Sequence, residues 1–321
     1  MRQPRLRDEP GFTLDAEGPL TVENRARRLA AAEALVVRGT RVDAALLEAA
    51  PRLRFVCRHG VGYDSVDVPA LTARGILLGV TPEANAASVA EHALMLMLAT
   101  ARRLVAFDAG VRRGEWRVRG ASPTFDLAGR AVLVIGFGRI GIRVARLCAG
   151  FGMRVLVHDP FLRAGVIRAA GHEAVRDRDA GLAAADIVSL HCPSDATTRG
   201  MVDAAFLARM RPGAVLINTA RGTLVDEAAL EAALRSRHLA AAGLDVLHEE
   251  PMVAPVPLLS LPNVLLTPHV AASTAQGLHR MALASAGNTI AFFAGRLEPE
   301  AMINPEALRA VGRRPPDRRV R

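Results

Sequence analysis

Short apolar runs alternate with helix-spaced stretches along most of the chain. Residues 34–37, 53–57 and 76–80 are runs too short for helices and read as strands. Residues 42–50 and 68–74 carry helical spacing, with Pro51 closing the first. The first 30 residues are polar, and a further strand of this region is placed near 12–14. Residues 88–105 form one long helical pattern of Ala, Leu and Met, with Met95 and Met97 read as core filling. A polar, arginine-rich stretch with Trp116 runs to about residue 129. A second series then begins, with strands at 131–135, 154–158, 186–191, 214–218, 241–246 and 264–267. Helices are predicted between them at 140–148, 204–210 and 227–237, and a last one at 275–295 leads back to the first region. Six strands in α/β alternation describe a doubly wound, parallel nucleotide-binding sheet.

Composition narrows the function. The 321 residues suggest two domains, and 50% hydrophobic with 23% charged residues suffices for sizeable cores. No apolar run approaches the ~18 to 20 residues that cross a bilayer. The first twelve residues are charged and lack a signal-peptide core, so a cytoplasmic protein is expected. All 41 basic residues are arginine, which excludes a Schiff-base lysine, a pyridoxal phosphate anchor, a Walker lysine and a Ser-Lys pair. The net charge is +9, much of it in the tail at 311–321. Aromatics are only 4% and do not interleave with arginine runs, so nucleic acid is not an expected partner. Cys57, Cys148 and Cys192 are far apart and form no CxxC, so neither a disulfide framework nor a metal site is expected.

The run Gly136-Phe137-Gly138-Arg139-Ile140-Gly141 follows a strand, opens a helix, and precedes a second strand ending at Asp159. Gly136 permits the tight turn, Gly138 lets a pyrophosphate approach, and Gly141 lets helix and strand pack closely. Amides at the helix start, including those of Arg139 and Ile140, face the phosphates. Asp159 can accept hydrogen bonds from both ribose hydroxyls, which favours NAD over NADP. A plain β–α–β turn with a surface aspartate is the competing reading.

Ligands of such a sheet bind beyond the carboxyl ends of its strands. There the sequence offers His191-Cys192-Pro193, Thr219-Ala220-Arg221-Gly222, Asp245 with His248, Glu249 and Glu250, and Pro268-His269. Arginine, carboxylate and histidine suit hydride transfer to a keto acid. Arginine grips a carboxylate with two parallel bonds, and histidine protonates the carbonyl oxygen beside a supporting carboxylate. Arg221 as a structural ion pair and His269 as a core imidazole compete with this, and Glu249 competes with Glu250. A Cys192–His191 nucleophile is disfavoured because adjacent strand residues face opposite ways. His92, among alanines and leucines, reads as packed.

In this order, Arg58-His59-Gly60-Val61-Gly62-Tyr63-Asp64, Ser88-Val89-Ala90-Glu91-His92, the glycine run, Asn218-Thr219-Ala220-Arg221-Gly222, Asp245-Val246-Leu247-His248-Glu249-Glu250-Pro251 and Leu266-Thr267-Pro268-His269 resemble the D-isomer specific 2-hydroxyacid dehydrogenases. Asn304-Pro305-Glu306 fits too, and the resemblance covers about residues 34–308. It implies that Arg221 grips substrate, His269 donates the proton, and Glu250 pairs with His269. It implies that Gly60, Val61 and Gly62 offer amides to the substrate carboxylate, with Arg58 nearby. Thr219, Ala220 and Asp245 would flank the nicotinamide, and Pro193 the adenosine. The implied architecture is an NAD-binding Rossmann domain at 84–270 and a smaller, discontinuous flavodoxin-like lid at 1–83 and 271–321, in a homodimer.

A non-catalytic, NAD-sensing corepressor on the same fold is the alternative from another class. Which 2-hydroxy acid is used stays open, since Arg112, Arg113, Arg117 and Arg119 are placed ambiguously for a phosphate. Ala271-Ala272 stand where the family often has glycines, which tightens that loop. With the chain ending at Arg321, serine feedback through a further domain is not expected. The lid's usual opening strand and helix do not fit into residues 1–10, which suggests a natural start roughly 25 residues upstream, an offset judged from the resemblance.

Overall fold

Parallel strands buried on both faces need continuous apolar runs, and the β-branched runs of this chain meet that need. The computed structural model describes residues 6–16, 18–120 and 124–311. The chain divides into two units, Met1–Asn85 with Ala275–Arg321, and Ala86–Thr274. The basic tail at 312–321 lies outside the described residues.

The first unit runs α1 (Val22–Leu29), β1 (Ala34–Val37), α2 (Ala44–Ala49), β2 (Phe55–Arg58), α3 (Val68–Ala73) and β3 (Leu77–Gly79). Its three strands are parallel in the order β1-β2-β3. Asp43 and Asp67 start α2 and α3 by accepting the Leu46 and Ala70 amides, each at 3.0 Å. The later stretch supplies the long helix Ala275–Phe293 (α11 in chain order), whose Phe292 stacks on Phe55 with centroids 4.5 Å apart. It also covers the outer edge of β3, where Met302 bridges Gly79 antiparallel. The strand expected near 12–14 is not formed. Phe12 instead packs edge-on against Phe293, and Asp15 is drawn to Arg28 at 2.6 Å. Two apolar residues between a glycine turn and an ion pair are too few to hold a strand.

The second unit begins with two helices, α4 (Ala86–Ala101) and α5 (Leu104–Arg112), where the pattern predicts one. Arg103 between them is left-handed, at φ 49°. Just before the break, the Thr100 hydroxyl donates to the Leu96 and Met97 carbonyls at 2.7 and 3.0 Å and competes with the helix ladder. Met97 is fully buried as expected, but Met95 is 43% exposed, because residues two apart on a helix face different ways.

After these come β4 (Ala131–Ile135), α6 (Arg139–Gly150), β5 (Arg154–His158), α7 (Ala164–Ala169), β6 (Glu173–Ala174), α8 (Arg178–Ala184), β7 (Ile187–Leu190), α9 (Ala204–Arg209), β8 (Ala214–Asn218), α10 (Glu227–Arg235), β9 (Leu239–Leu244) and β10 (Val264–Leu266). The seven strands are all parallel, in the order β10-β9-β8-β7-β4-β5-β6. The two strands that open the halves, β4 and β7, lie side by side, and the crevice between their carboxyl ends is the switch point of the doubly wound sheet. Two apolar cores cover its faces, one around Leu133, Leu216 and Leu230, the other around Met97, Val134 and Val144. The α/β class and parallel sheets match the sequence reading. No helix among the described residues is long and apolar enough to cross a membrane.

Candidate active site

At the carboxyl end of β4 the chain turns at Gly136, with φ 91° and its amide bonded to the His158 carbonyl at 2.9 Å. A Cβ at Gly136 would stand 2.7 Å from the Cys192 nitrogen, and one at Gly141 would stand 2.0 Å from the Gly136 carbonyl oxygen. A Cβ at Gly138, in contrast, would meet nothing within 4 Å. Gly136 and Gly141 are thus fixed by internal packing, whereas Gly138 leaves an open approach to the start of α6. That is the cradle a pyrophosphate requires. Arg139 and Ile140 form the first turn of α6.

Asp159 follows β5. Its carboxylate accepts the Phe137 amide at 2.9 Å and the Phe161 amide at 3.0 Å, which fixes its orientation. An ionised carboxylate has about four acceptor sites, so capacity remains for a diol. A cleft of about 460 Å³ opens here, lined by Asp159, Phe161, Arg163, Ile167 and Arg176 among others. Pro193 lies exposed three residues beyond β7. Thr219, just past β8, has a buried hydroxyl without a hydrogen-bond partner, a polar atom suited to a bound ligand. Glycine cradle, carboxylate and orphaned hydroxyl together fit a dinucleotide.

A histidine–carboxylate pair lies at the same edge of the sheet. His269 Nδ1 stands 2.5 Å from Glu250 Oε2, and Glu250 Oε1 accepts the Leu247 amide at 2.8 Å. Burial alone would raise the Glu250 pKa, but the hydrogen bonds from His269 and Leu247 and the charge of Arg221 outweigh it and hold the carboxyl below its ordinary value. Glu250 is therefore ionised at neutral pH and accepts from Nδ1–H, so that Nε2 is the nitrogen left to exchange a proton. Glu250, rather than the exposed Glu249, is the histidine's partner. Arg221 donates to the Ala220 carbonyl at 2.6 Å, and the Asn218 side chain fixes this loop from both ends, at Ala220 N and Arg221 O.

His269 sits at φ 51°, a left-handed conformation that costs a non-glycine residue free energy. Buried Asp245 secures it. Its main-chain oxygen accepts the His269 amide at 2.8 Å, and its carboxylate accepts the Val270 and Ala271 amides, each at 2.9 Å. The same carboxylate takes the Thr267 hydroxyl at 2.5 Å. Ala271 is buried in this clamp. Neither Thr267 nor the clamp is evident from strand-end reasoning, because Thr267 reads only as the last residue of a strand.

His191 and Cys192 form no nucleophilic pair. His191 Nε2 is bonded to Ser189 Oγ at 2.8 Å, and burial pushes its pKa down to about 3. Burial pushes the Cys192 thiol up to about 11. No cluster of metal-ligating side chains occurs among the described residues.

In the first unit, Arg58 ends β2 and the loop after it carries Gly60, Val61 and Gly62. The Gly60 amide is turned inward, to Thr81 Oγ1 and to the Arg58 carbonyl, each at 2.9 Å. Arg58 folds back onto the His59 carbonyl. Val61 is 36% exposed.

Residues 94–271 match the family model described as the NAD binding domain of the D-isomer specific 2-hydroxyacid dehydrogenases. Over 272 residues, 84% of this chain, it is 44% identical to the D-3-phosphoglycerate dehydrogenase of Mycobacterium leprae, of which it covers 51%. It is 41% identical over 278 residues to a glyoxylate reductase of Korarchaeum cryptofilum, covering 86% of this chain and 82% of that protein. Among solved structures, the NADPH-dependent glyoxylate/hydroxypyruvate reductase of Sinorhizobium meliloti superposes with a TM-score of 0.78 at 35% identity, covering 90% of this chain and 88% of that one. The chain thus spans about half the length of the phosphoglycerate dehydrogenases it matches. A doubly wound sheet with a glycine cradle, a matching domain over more than half the chain and relatives above 40% identity place this chain in the D-isomer specific 2-hydroxyacid dehydrogenase family.

Proposed function

We propose that this chain is an NAD-dependent oxidoreductase that interconverts a D-2-hydroxy acid and its 2-keto acid. The observation that carries this is the His269–Glu250 pair at 2.5 Å, with Arg221 close enough to depress Glu250, on the strand-end edge that also bears the glycine cradle. Gly136, Gly138, Arg139, Ile140 and Gly141 hold the pyrophosphate, Asp159 the ribose and Pro193 the adenosine side. Thr219, Ala220 and Asp245 hold the nicotinamide end. When bound, the dinucleotide supplies the hydride to the keto carbon. His269 Nε2 gives its proton to the carbonyl oxygen in reduction and removes it in oxidation, while Glu250 holds the ring in one tautomer. Arg221 grips the substrate carboxylate with its planar fork. In the first unit, the Gly60 amide is engaged by Thr81.

Asp159 favours NAD, because its charge repels a 2′-phosphate. Similarity to relatives named for D-3-phosphoglycerate and glyoxylate supports a small, acidic substrate. Leu104, Val105 and Trp116, each at least 58% exposed on and beyond α5, support a homodimer through that face. Reduced, widely spaced cysteines support a cytoplasmic setting.

The test is NADH oxidation with a panel of 2-keto acids. Activity is expected with at least one, falling by roughly 10² or more in kcat for His269→Ala. Arg221→Lys is expected to lose substrate binding. No activity with any keto acid, or a higher kcat/KM with NADPH than with NADH, overturns the corresponding part of the reading.

A further inference from the structure

The strained loop that carries His269 is braced from beneath by α4. Ser88 and His92 are four residues apart and so lie on one face of that helix. Ser88 Oγ stands 3.0 Å from Thr274 Oγ1, and His92 Nε2 stands 2.9 Å from Thr267 Oγ1. The two side chains thus reach both ends of the segment 267–274, with His269 between them.

Thr267 has one hydroxyl proton, and it goes to Asp245 Oδ1 at 2.5 Å. The Thr267 oxygen must therefore accept from His92, which fixes the His92 proton on Nε2. The same nitrogen stands 3.4 Å from Asp245 Oδ1. Asp245 is 1% exposed and receives the Val270 and Ala271 amides. His92 thus orients Thr267, Thr267 orients the Asp245 carboxylate, and Asp245 holds the backbone on which His269 is strained.

We propose that His92, with Ser88, is a positioning residue that sets the geometry of the His269 loop through Thr267 and Asp245. This rests on the reading of His269 as the proton donor, but the bracing itself can be measured without activity. His92→Leu removes the donor and keeps an apolar bulk. Its kcat should fall about tenfold or more, since displacement of about 1 Å can cost a hundredfold. His92→Gln places an amide donor near the position of Nε2 and should recover most of the loss. Thr267→Val, close in shape, should match His92→Leu, and the double variant should be no worse than either single one.

Hydrogen–deuterium exchange of the 267–271 backbone is the readout independent of turnover. It should speed up at least about tenfold in His92→Leu and Thr267→Val and stay protected in His92→Gln. Wild-type exchange and kcat in His92→Leu overturn the proposal. So does a His92→Gln variant as impaired as His92→Leu, which would assign the effect to packing. A wild-type protein inactive with every keto acid refutes the oxidoreductase reading alone, and the exchange measurement still decides this one.

Discussion

The two units use the same β–α alternation but secure their sheets by different means. In the second unit, β4, β7 and β8 are buried along their whole length between two apolar cores, and the short or partly exposed strands β6 and β10 take the edges. In the first unit, the described residues form three strands. One edge, β3, is covered by the segment 301–304, with Val80 N bonded to Ala301 O at 2.8 Å and Ile303 N to Leu78 O at 2.9 Å. On the other edge, Val36 of β1 is 41% exposed, and no strand among the described residues pairs with that side. A wide sheet is stabilised mainly by continuous apolar burial, whereas a narrow one depends more on individual, sequence-distant ties.

The largest effect that would sharpen this contrast is expected where backbone meets backbone. A Cβ at Gly222 would stand 1.9 Å from both the carbon and the oxygen of the Leu247 carbonyl group. Neither can turn aside as a side chain would, so Gly222→Ala should cost about 3 kcal/mol or more and separate the Arg221 loop from the Glu250 loop. In the first unit, the Cβ of Gly79→Ala would meet the Phe55 ring at 2.6 Å, a ring already stacked on Phe292. Some repacking is available there, so about 1 to 3 kcal/mol is expected. Urea denaturation of both variants checks the order, and a Gly79→Ala protein less stable than Gly222→Ala would break it.

The next effect tests the distant tie. Asn304 is buried, accepts the Leu78 amide at 2.7 Å, and donates to Thr72 Oγ1 at 2.8 Å and the Ile76 carbonyl at 3.0 Å. Asn304→Ala leaves buried groups without partners and should cost about 2 kcal/mol. Amide exchange should rise in β2 and β3 before it rises in β4 or β7. Equal acceleration in both sheets would show that the tie does not belong to the first unit alone.

The same difference explains what the sequence discloses. Long runs such as Ala131–Ile135 and Ala214–Asn218 are legible because strands buried on both faces must be apolar throughout. The strand-end rule then points to Arg221 and His269 without any structure, whereas only the family resemblance separates Glu250 from Glu249. β6 escapes because Glu173–Ala174 has neither length nor apolar pattern, and α7 and α8 are six and seven residues long. The inward turn of the Gly60 amide depends on Thr81, 21 residues away, and the role of His92 depends on Thr267, 175 residues away. Such contacts are tertiary, and no local spacing encodes them.

The smallest expected effect separates charge from packing at the His269–Glu250 pair. The folded-state pKa of Glu250 is lowered, so its charge contributes stability that is present above the ordinary glutamate value of about 4.3 and is lost as pH falls through the depressed value. The pair is not deeply buried, with 51% of the His269 and 34% of the Glu250 side chain exposed, so solvent screening keeps the contribution below about 1 kcal/mol. Glu250→Gln is nearly isosteric, removes the charge and exchanges one acceptor oxygen for an amide donor. Denaturation at neutral pH should therefore show the wild type slightly more stable, and the gap should close as pH falls below the ordinary glutamate value and on through the depressed one. Catalysis should suffer more than stability, because the amide no longer stabilises a charged imidazole and can hold the ring in the wrong tautomer. A stability gap that persists undiminished once Glu250 is protonated would mean that packing and hydrogen-bond geometry, rather than the carboxylate charge, hold His269 in place.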